Sequence, residues 1–238
     1  MSWSESIKER QAKRLTEHLD QVIERSLRPP PKLTVSEWAD TYRQLSRESS
    51  AVSGQWPTSK AEYQRGMMDA VSDPRYETVV LMTCAQIGKT ELVNNVIGYH
   101  IHQDPAPILV VMPTVEIANA WSKDRLSPAI RDTPVLTRLI ADPKSRDSGN
   151  TVLHKSFTGG RVTASGANSP ASLASRPCRL VLMDEVDRFP LSAGSEGDPV
   201  GVFSYCDSIR GKRSAQILCS VSALRRTPSA EMVQCQMG

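Results

Sequence analysis

The sequence predicts an α/β fold in which a mostly parallel β-sheet is covered by helices on both faces. Three unbroken apolar runs, at residues 79–82, 108–112 and 180–183, have the length of buried strands. Parallel strands buried on both faces carry apolar side chains at successive positions, because neither face meets water. Stretches with helical spacing of apolar residues separate these runs, and such alternation is typical of a parallel sheet with helical crossovers.

A helical segment and a linker are predicted to precede this core. Residues 4–26 carry the apolar stripe of one helix, and their basic side chains either contact DNA or a partner subunit or simply face solvent. Prolines at residues 29–31 end this helix, and residues 34–37 have the pattern of a capping box that begins a second short helix. We therefore divide the chain into an N-terminal helical segment and linker, up to residue 50, and a core domain from there to the end.

The first apolar run leads into a sequence with the features of a phosphate-binding loop. Gly88 would let the backbone approach phosphates, Lys89 would reach the β- and γ-phosphate oxygens, and the Thr90 hydroxyl would bind Mg²⁺. The following helix would direct its first N–H groups at the same phosphates. Because Thr83 stands where the usual loop has its first glycine, the alternative is a surface helix that begins with a solvated lysine. The predicted nucleotide-binding turn comprises Gln86, Ile87, Gly88, Lys89 and Thr90.

Two adjacent carboxylates follow the last of the apolar runs. At the carboxyl end of a parallel strand, Asp184 would face the crevice in which such sheets bind ligands, and there it can hold Mg²⁺. Glu185 can act as general base on the attacking water, so Glu185 and Lys89 are the predicted catalytic residues of a P-loop ATPase domain, residues 51–238. The alternative is that the two acids only solvate a strand end. For Asp187 and Arg188, which follow them, only a local ion pair is expected.

Further elements are predicted between and after the two half-sites. The long sequence between Lys89 and Asp184 leaves room for strands between them, as in ATPases that insert a strand there. Helices are expected at residues 116–126 and 134–140, and a hairpin is expected from residues 151–154 and 161–164 around Thr158-Gly159-Gly160.

Composition and residue spacing exclude several classes of protein. No apolar stretch reaches the roughly 20 residues that a membrane helix needs, and the charged N-terminus is not typical of a secretory signal. Five cysteines without a Cys-x-x-Cys spacing indicate reduced thiols rather than zinc ligands. His100 and His102 do not share a helix face, so they are not expected to bind a metal. The net charge of +3 permits contact with nucleic acid but does not require it.

These motifs, taken in order, resemble the ATPase region of the large terminase subunit of tailed phages, of the lambda-like type. The resemblance extends from about residue 38 to about residue 200, and it rests on several motifs in the same order rather than on one. The phosphate loop of this family also lacks the first glycine, so Thr83 agrees with it. The resembling stretches are residues 55–57, 62–64, 85–91, 104–105, 108–114, 121–126, 166–169 and 182–187.

The resemblance implies a P-loop NTPase fold of the type with an additional strand and a catalytic glutamate. It implies a motor that uses ATP and Mg²⁺ to drive double-stranded DNA into a procapsid. The implied partners are the DNA, a small terminase subunit, the portal of the procapsid and further copies of the chain, in the host-cell cytoplasm and away from membranes. Gln64 would contact adenine. Because Ala85 stands where many relatives have an arginine, an arginine finger would come from Arg125, Arg131, Arg176 or a neighbouring subunit.

Two other functions are open on the sequence, and the C-terminal part departs from the family pattern. Pro113-Thr114 also resembles helicases, so a helicase-like P-loop ATPase acting on nucleic acid is one alternative, and an inactive prophage remnant is another. After about residue 200 we expect an incomplete or divergent domain, with residues 215–222 as a last strand and a truncation before the nuclease domain. Nuclease activity is not expected, because metal-dependent cleavage of DNA needs a cluster of carboxylates. Among the acids that follow the nucleotide site, only Glu196 and Asp198 are close neighbours, and a loop pair without a third acid is more typical of a solvated loop.

Overall fold

The chain divides into two units, residues 1–32 and residues 33–238, in a computed structural model. In the first unit, residues 13–20 form helix α1, on which Leu15 and Leu19 are exposed. The rest of the predicted N-terminal helix lies outside the described residues. The structure describes residues 13–20, 31–48, 53–84, 87–140, 150–169, 178–192 and 197–200, and the backbone alone of residues 216–222.

Helix α2, Val35–Tyr42, begins at the predicted capping box. The Thr34 N–H donates to Glu37 Oε2 at 2.8 Å, and the Glu37 N–H donates to Thr34 Oγ1 at 3.3 Å. The helix buries Trp38 completely, and the indole N–H of Trp38 donates to His102 Nδ1 at 3.1 Å. Helix α2 packs within the second unit.

A six-stranded sheet forms the centre of the second unit and confirms the predicted α/β fold. Its strands are β3 (Thr78–Thr83), β4 (Pro107–Met112), β5 (His154–Phe157), β6 (Gly160–Gly166), β7 (Leu180–Met183) and β8 (Gln216–Ser222). The spatial order is β3-β8-β7-β4-β6-β5, and all neighbours are parallel except β5, which is antiparallel to β6. A separate ribbon pairs β1 (Gln44–Leu45) with β2 (Gly54–Gln55).

The three apolar runs are the strands β3, β4 and β7, as predicted, and the expected last strand is β8. The additional strand between β3 and β7 is β8, so it comes from residues after Asp184 and not, as expected, from the segment between Lys89 and Asp184, whose strands lie on the other side of β7. At the amino ends of the parallel strands, the Arg179 guanidinium before β7 pairs with the Asp104 carboxylate before β4, with Nη1 and Oδ1 2.9 Å apart.

Alternate residues of the central strands enter two separate cores, which accounts for their unbroken apolar sequence. Val110 and Leu182 belong to a core covered by helices, whereas Val111 and Met183 belong to the core on the second face. The helices after α2 are α3 (Tyr63–Ser72), α4 (Lys89–His102), α5 (Val115–Trp121), α6 (Ser127–Asp132) and α7 (Pro134–Thr137). In the described part of the chain, the second face packs against a 3-10 turn, Val186–Arg188, and the helical residues 199–200.

Three predicted elements differ from the observed ones in their bounds. The first hairpin strand runs from His154 to Phe157 rather than from Thr151 to His154, and the Thr151 N–H donates locally to the His154 carbonyl at 3.0 Å. A two-residue turn, Thr158-Gly159, pairs Phe157 with Gly160, and Gly159 has a φ of +89°. The helix predicted for residues 116–126 continues instead through a π-helical turn, Ser122–Leu126, into α6. The helix predicted for residues 134–140 stops at Thr137, since Ile140 pairs with Phe157 in an isolated bridge.

We predict that Gly98→Ala destabilises the protein by about 1–3 kcal/mol, because overpacking a filled core forces side chains off their preferred conformations. A β-carbon on Gly98 would lie 2.2 Å from Trp38 Cη2, where α4 contacts α2. The matched control is Gly66→Ala in α3, where the added carbon would meet no described atom from outside its own helix turn within 4 Å. The control should gain about 0.5–1 kcal/mol from the lower flexibility of alanine. Urea unfolding measures both, and equal midpoints for the two variants would contradict the prediction.

Candidate functional site

The two predicted half-sites lie at the same edge of the sheet, on either side of β8. Val80 of β3 and Met183 of β7 both pair with Cys219, so these two residues are level and two strand spacings, about 10 Å, apart. Strand β3 continues for three residues beyond this level to Thr83. The phosphate loop therefore begins further out from the sheet than Asp184, and the crevice that the sequence predicts would lie between them.

The described part of the phosphate loop leads directly into α4. Gly88 is the residue before the helix and has a φ of +83°, a left-handed conformation that glycine adopts without strain. Its carbonyl accepts from the N–H groups of Glu91 at 3.0 Å and Leu92 at 3.1 Å. Lys89 and Thr90 lie in the first turn, where helical N–H groups and the helix dipole favour an anion. Gln86 lies outside the described residues.

Two side chains of α3 hold the phosphate loop by its backbone. Gln64 Nε2 donates to the Ile87 carbonyl at 2.7 Å, and the Tyr63 hydroxyl donates to the same carbonyl at 2.9 Å. Gln64 is buried, and its Oε1 has no hydrogen-bond partner among the described residues. A β-carbon on Gly88 would lie 2.8 Å from Gln64 Nε2, so a larger residue there would displace the end of the Gln64 side chain.

The acid pair lies at the end of β7, in a turn that separates the two carboxylates. Asp184 is 6% exposed, its N–H donates to the Val111 carbonyl at 3.0 Å, and its Oδ1 accepts from the Glu185 N–H at 3.0 Å. Glu185 has a φ of +54°, which is unusual for a residue other than glycine, and such strain is frequent at functional sites. Glu185 Oε2 accepts from Arg188 Nη1 at 2.7 Å, so Arg188 pairs with the candidate base.

A buried ion pair at the first turn of α4 was not predicted from the sequence. Arg43 Nη2 donates to Glu91 Oε2 at 2.9 Å, and the side chains are 1% and 17% exposed. Burial lowers the pKa of the Arg43 guanidinium, and the Glu91 carboxylate opposes that shift. The sequence holds no signal for this pair, because the two residues lie far apart in the chain. The role of Tyr63 was missed as well, although its place beside Gln64 could have indicated it.

The other candidate residues lie outside this constellation or outside the described residues. Arg131 forms ion pairs with Glu48 at 3.2 Å and Asp132 at 2.8 Å, Arg125 is exposed in the π-helical turn, and Arg176 is not among the described residues. Over the described ranges, no group of three or more His, Cys, Asp or Glu side chains could hold a metal ion. An ion at Asp184 would therefore need the Thr90 hydroxyl and phosphate oxygens as further ligands.

None of the described helices combines the length and hydropathy of a membrane span.

Comparison with known proteins supplies the context for this geometry. Residues 50–205 match the ATPase domain of the phage terminase large subunit gpA. The chain is 29% identical to the large terminase subunit of Enterobacteria phage P21 over 175 residues, and 29% identical to that of Escherichia phage lambda over 176 residues. These alignments cover 73% and 74% of this chain but only 27% of either relative. The fold is similar to the crystal structure of the HK97 bacteriophage large terminase, with a TM-score of 0.57 and 13% identity over 80% of this chain and 38% of that one.

Proposed function

Because the chain belongs to the family of phage terminase large subunits of the gpA type, through the ATPase domain, we propose that it is the ATP-hydrolysing motor module of such a subunit. The motor drives double-stranded DNA into a procapsid in the host-cell cytoplasm. Its partners are the DNA, a small terminase subunit, the portal of the procapsid and further copies of the chain. Since the chain spans 27% of the length of its curated relatives, these functions of the whole subunit are part of the proposal.

The observation that carries the proposal is the common edge of β3 and β7. A loop that enters a 14-residue helix with Lys89 in its first turn lies across one strand from a buried carboxylate, Asp184. In open parallel sheets, ligands bind outside the carboxyl ends of the strands. The N–H groups of α4 and the Lys89 ammonium would bind the β- and γ-phosphates, while Glu185 would take a proton from the attacking water.

The residues at this edge fit a magnesium ion. Mg²⁺ is a hard cation that prefers oxygen ligands, and it is commonly bound by one or two protein groups together with substrate phosphates. The Asp184 carboxylate and the Thr90 hydroxyl provide such oxygens at the two sides of the crevice. When bound, the ion neutralises charge on the phosphate oxygens. Lys89 and the N–H groups of α4 orient the same phosphates.

Gln64 is proposed to contact the adenine base, as the resemblance implies. Its Nε2 already donates to the Ile87 carbonyl, but its buried Oε1 is an acceptor without a described partner. The exocyclic amino group of adenine is a donor that such an oxygen can bind. One side chain would then connect the base to the loop that binds the phosphates.

We predict that Lys89→Ala abolishes ATP turnover or reduces it by at least about a hundredfold, because it removes the main positive charge on the transferred phosphate. The measurement is phosphate release from ATP and Mg²⁺, with and without double-stranded DNA. Lys60→Ala, an exposed lysine outside the site, is the control and should retain turnover. Hydrolysis by Lys89→Ala at the rate of the unmodified chain would refute the assignment. If the chain is an inactive remnant, the unmodified chain and both variants should release no phosphate from ATP.

For Glu185→Gln we expect ATP binding to stay within about threefold while kcat falls by a factor of about 10²–10⁴, the usual contribution of a general base. The amide keeps the shape of the side chain but cannot take a proton. Binding is measured by calorimetry and turnover by phosphate release. Asp187→Asn removes an acid in the same turn and serves as the control. The roles of the acids are wrong if Glu185→Gln hydrolyses ATP normally while Asp184→Asn does not.

The chain is also proposed not to cleave DNA by itself. Cleavage assisted by metal ions needs clustered carboxylates around a phosphate. Asp198 is exposed, and its Oδ1 accepts from the Val200 N–H at 3.2 Å, while Glu196 lies outside the described residues. Incubation of supercoiled plasmid with the chain and Mn²⁺ should leave the plasmid intact. Nicking that survives repurification and disappears in a Glu196→Ala/Asp198→Ala variant would reveal a nuclease centre.

A further inference from the structure

Arg43 carries a positive charge that is almost completely withdrawn from water. The residue follows the last turn of α2 and is 1% exposed. Its Nη2 donates to Glu91 Oε2 at 2.9 Å and its Nη1 donates to the Gln44 carbonyl, while its Nε has no hydrogen-bond partner among the described residues. Charged side chains are almost never buried to this degree unless they are paired, because desolvation of an ion is costly. Loss of one partner would leave the other charge buried.

The carboxylate that receives this charge belongs to the first turn of the phosphate-loop helix. Glu91 directly follows Thr90, and its N–H donates to the Gly88 carbonyl at 3.0 Å. A shift of the Glu91 backbone therefore shifts the turn that carries Lys89 and Thr90. On the other side, Gln64 and Tyr63 bind the Ile87 carbonyl. The loop and the first turn of α4 are thus held at two points by segments that precede the loop in the sequence.

The main chain at Arg43 is itself fixed, so the guanidinium has a firm base. The Arg43 N–H donates to the Ala39 carbonyl at 3.0 Å, and the Arg43 carbonyl accepts from the Trp56 N–H at 2.9 Å. Arg43 lies in the second structural unit but precedes residues 50–205, which match the family ATPase domain. The match therefore assigns it no role in that domain.

We propose that Arg43 is a positioning residue for the phosphate loop. Through its ion pair with Glu91 it fixes the first turn of α4, and with it the points at which Lys89 and Thr90 meet the nucleotide. Arg43 touches neither the nucleotide nor Mg²⁺ and acts only through Glu91. This inference rests on the proposed ATP hydrolysis at the crevice.

The competing explanation is that the pair only stabilises the fold, and a double substitution separates the two. Single variants such as Arg43→Met leave one buried charge without its partner and can unfold for that reason alone. Replacement of both members of a buried ion pair by apolar side chains of similar volume often preserves stability. The test protein is therefore Arg43→Met/Glu91→Met in the full chain. Arg75→Met is the control, since Arg75 pairs with Asp73 on the surface, where its side chain is 78% exposed.

We expect the double variant to melt within a few degrees of the unmodified chain and to lose at least about tenfold in kcat, because small misplacements of catalytic groups are costly. Without nucleotide, amide hydrogen exchange of residues 87–92 should be faster, while that of β4 should be unchanged. Arg75→Met should match the unmodified chain in all three measurements. A double variant with normal kcat and normal exchange at residues 87–92 would overturn the proposal. If turnover falls only in proportion to the fraction of folded protein, that result would also overturn the proposal.

The same experiment distinguishes this proposal from the proposed function. If the unmodified chain and Lys89→Ala are equally inactive, ATP hydrolysis is not the function and the crevice assignment fails. If their turnover differs as expected but the double variant behaves like the unmodified chain, only the role of Arg43 fails. The exchange measurement needs no nucleotide, so it tests the contact between Arg43 and the loop in either case.

Discussion

Strand β8 sets the distance between the two halves of the crevice, and the other features of the site depend on that distance. Its backbone pairs with β3 on one side and with β7 on the other, so Lys89 and Asp184 approach from strands that do not touch each other. If β3 and β7 were direct neighbours, one strand spacing of about 4.8 Å would separate them instead of two. Parallel pairing directs all three carboxyl ends to one edge, where ligands of such sheets bind.

Sequence reasoning succeeded where the cause of a structure is local. Apolar residues at successive positions predicted β3, β4 and β7 because each strand fills two cores at once, with Val110 and Val111 on opposite sides. The capping box before α2 was predicted because both of its partners lie within four residues. The sequence did not predict the order of the strands, since β8 lies between the two half-sites in the sheet although it follows both of them in the chain.

Sequence reasoning failed where partners are distant in the chain or where two local preferences compete. Arg43 and Glu91 meet only after α2 has packed against α4, so nothing near either residue indicates the pair. In the hairpin, the sequence predicted a turn at Thr158-Gly159-Gly160 but not which residues of the two strands pair across it. The pairing of Arg188 with Glu185 rather than with Asp187 depends on the left-handed turn at Glu185, which side-chain types alone do not predict.

The π-helical turn Ser122–Leu126 has a consequence for how related chains differ in length. A π turn is an α-helix widened by one residue, and it shifts the phase of every later side chain by about 100°. Here Trp121 and Leu126 are both buried although five positions separate them, a spacing that a regular α-helix would not place on one face. The widened turn lets α5 and α6 each bury a face. A relative that lacks one residue in this turn can keep both buried faces with a regular helix, so a one-residue gap here is compatible with an unchanged core.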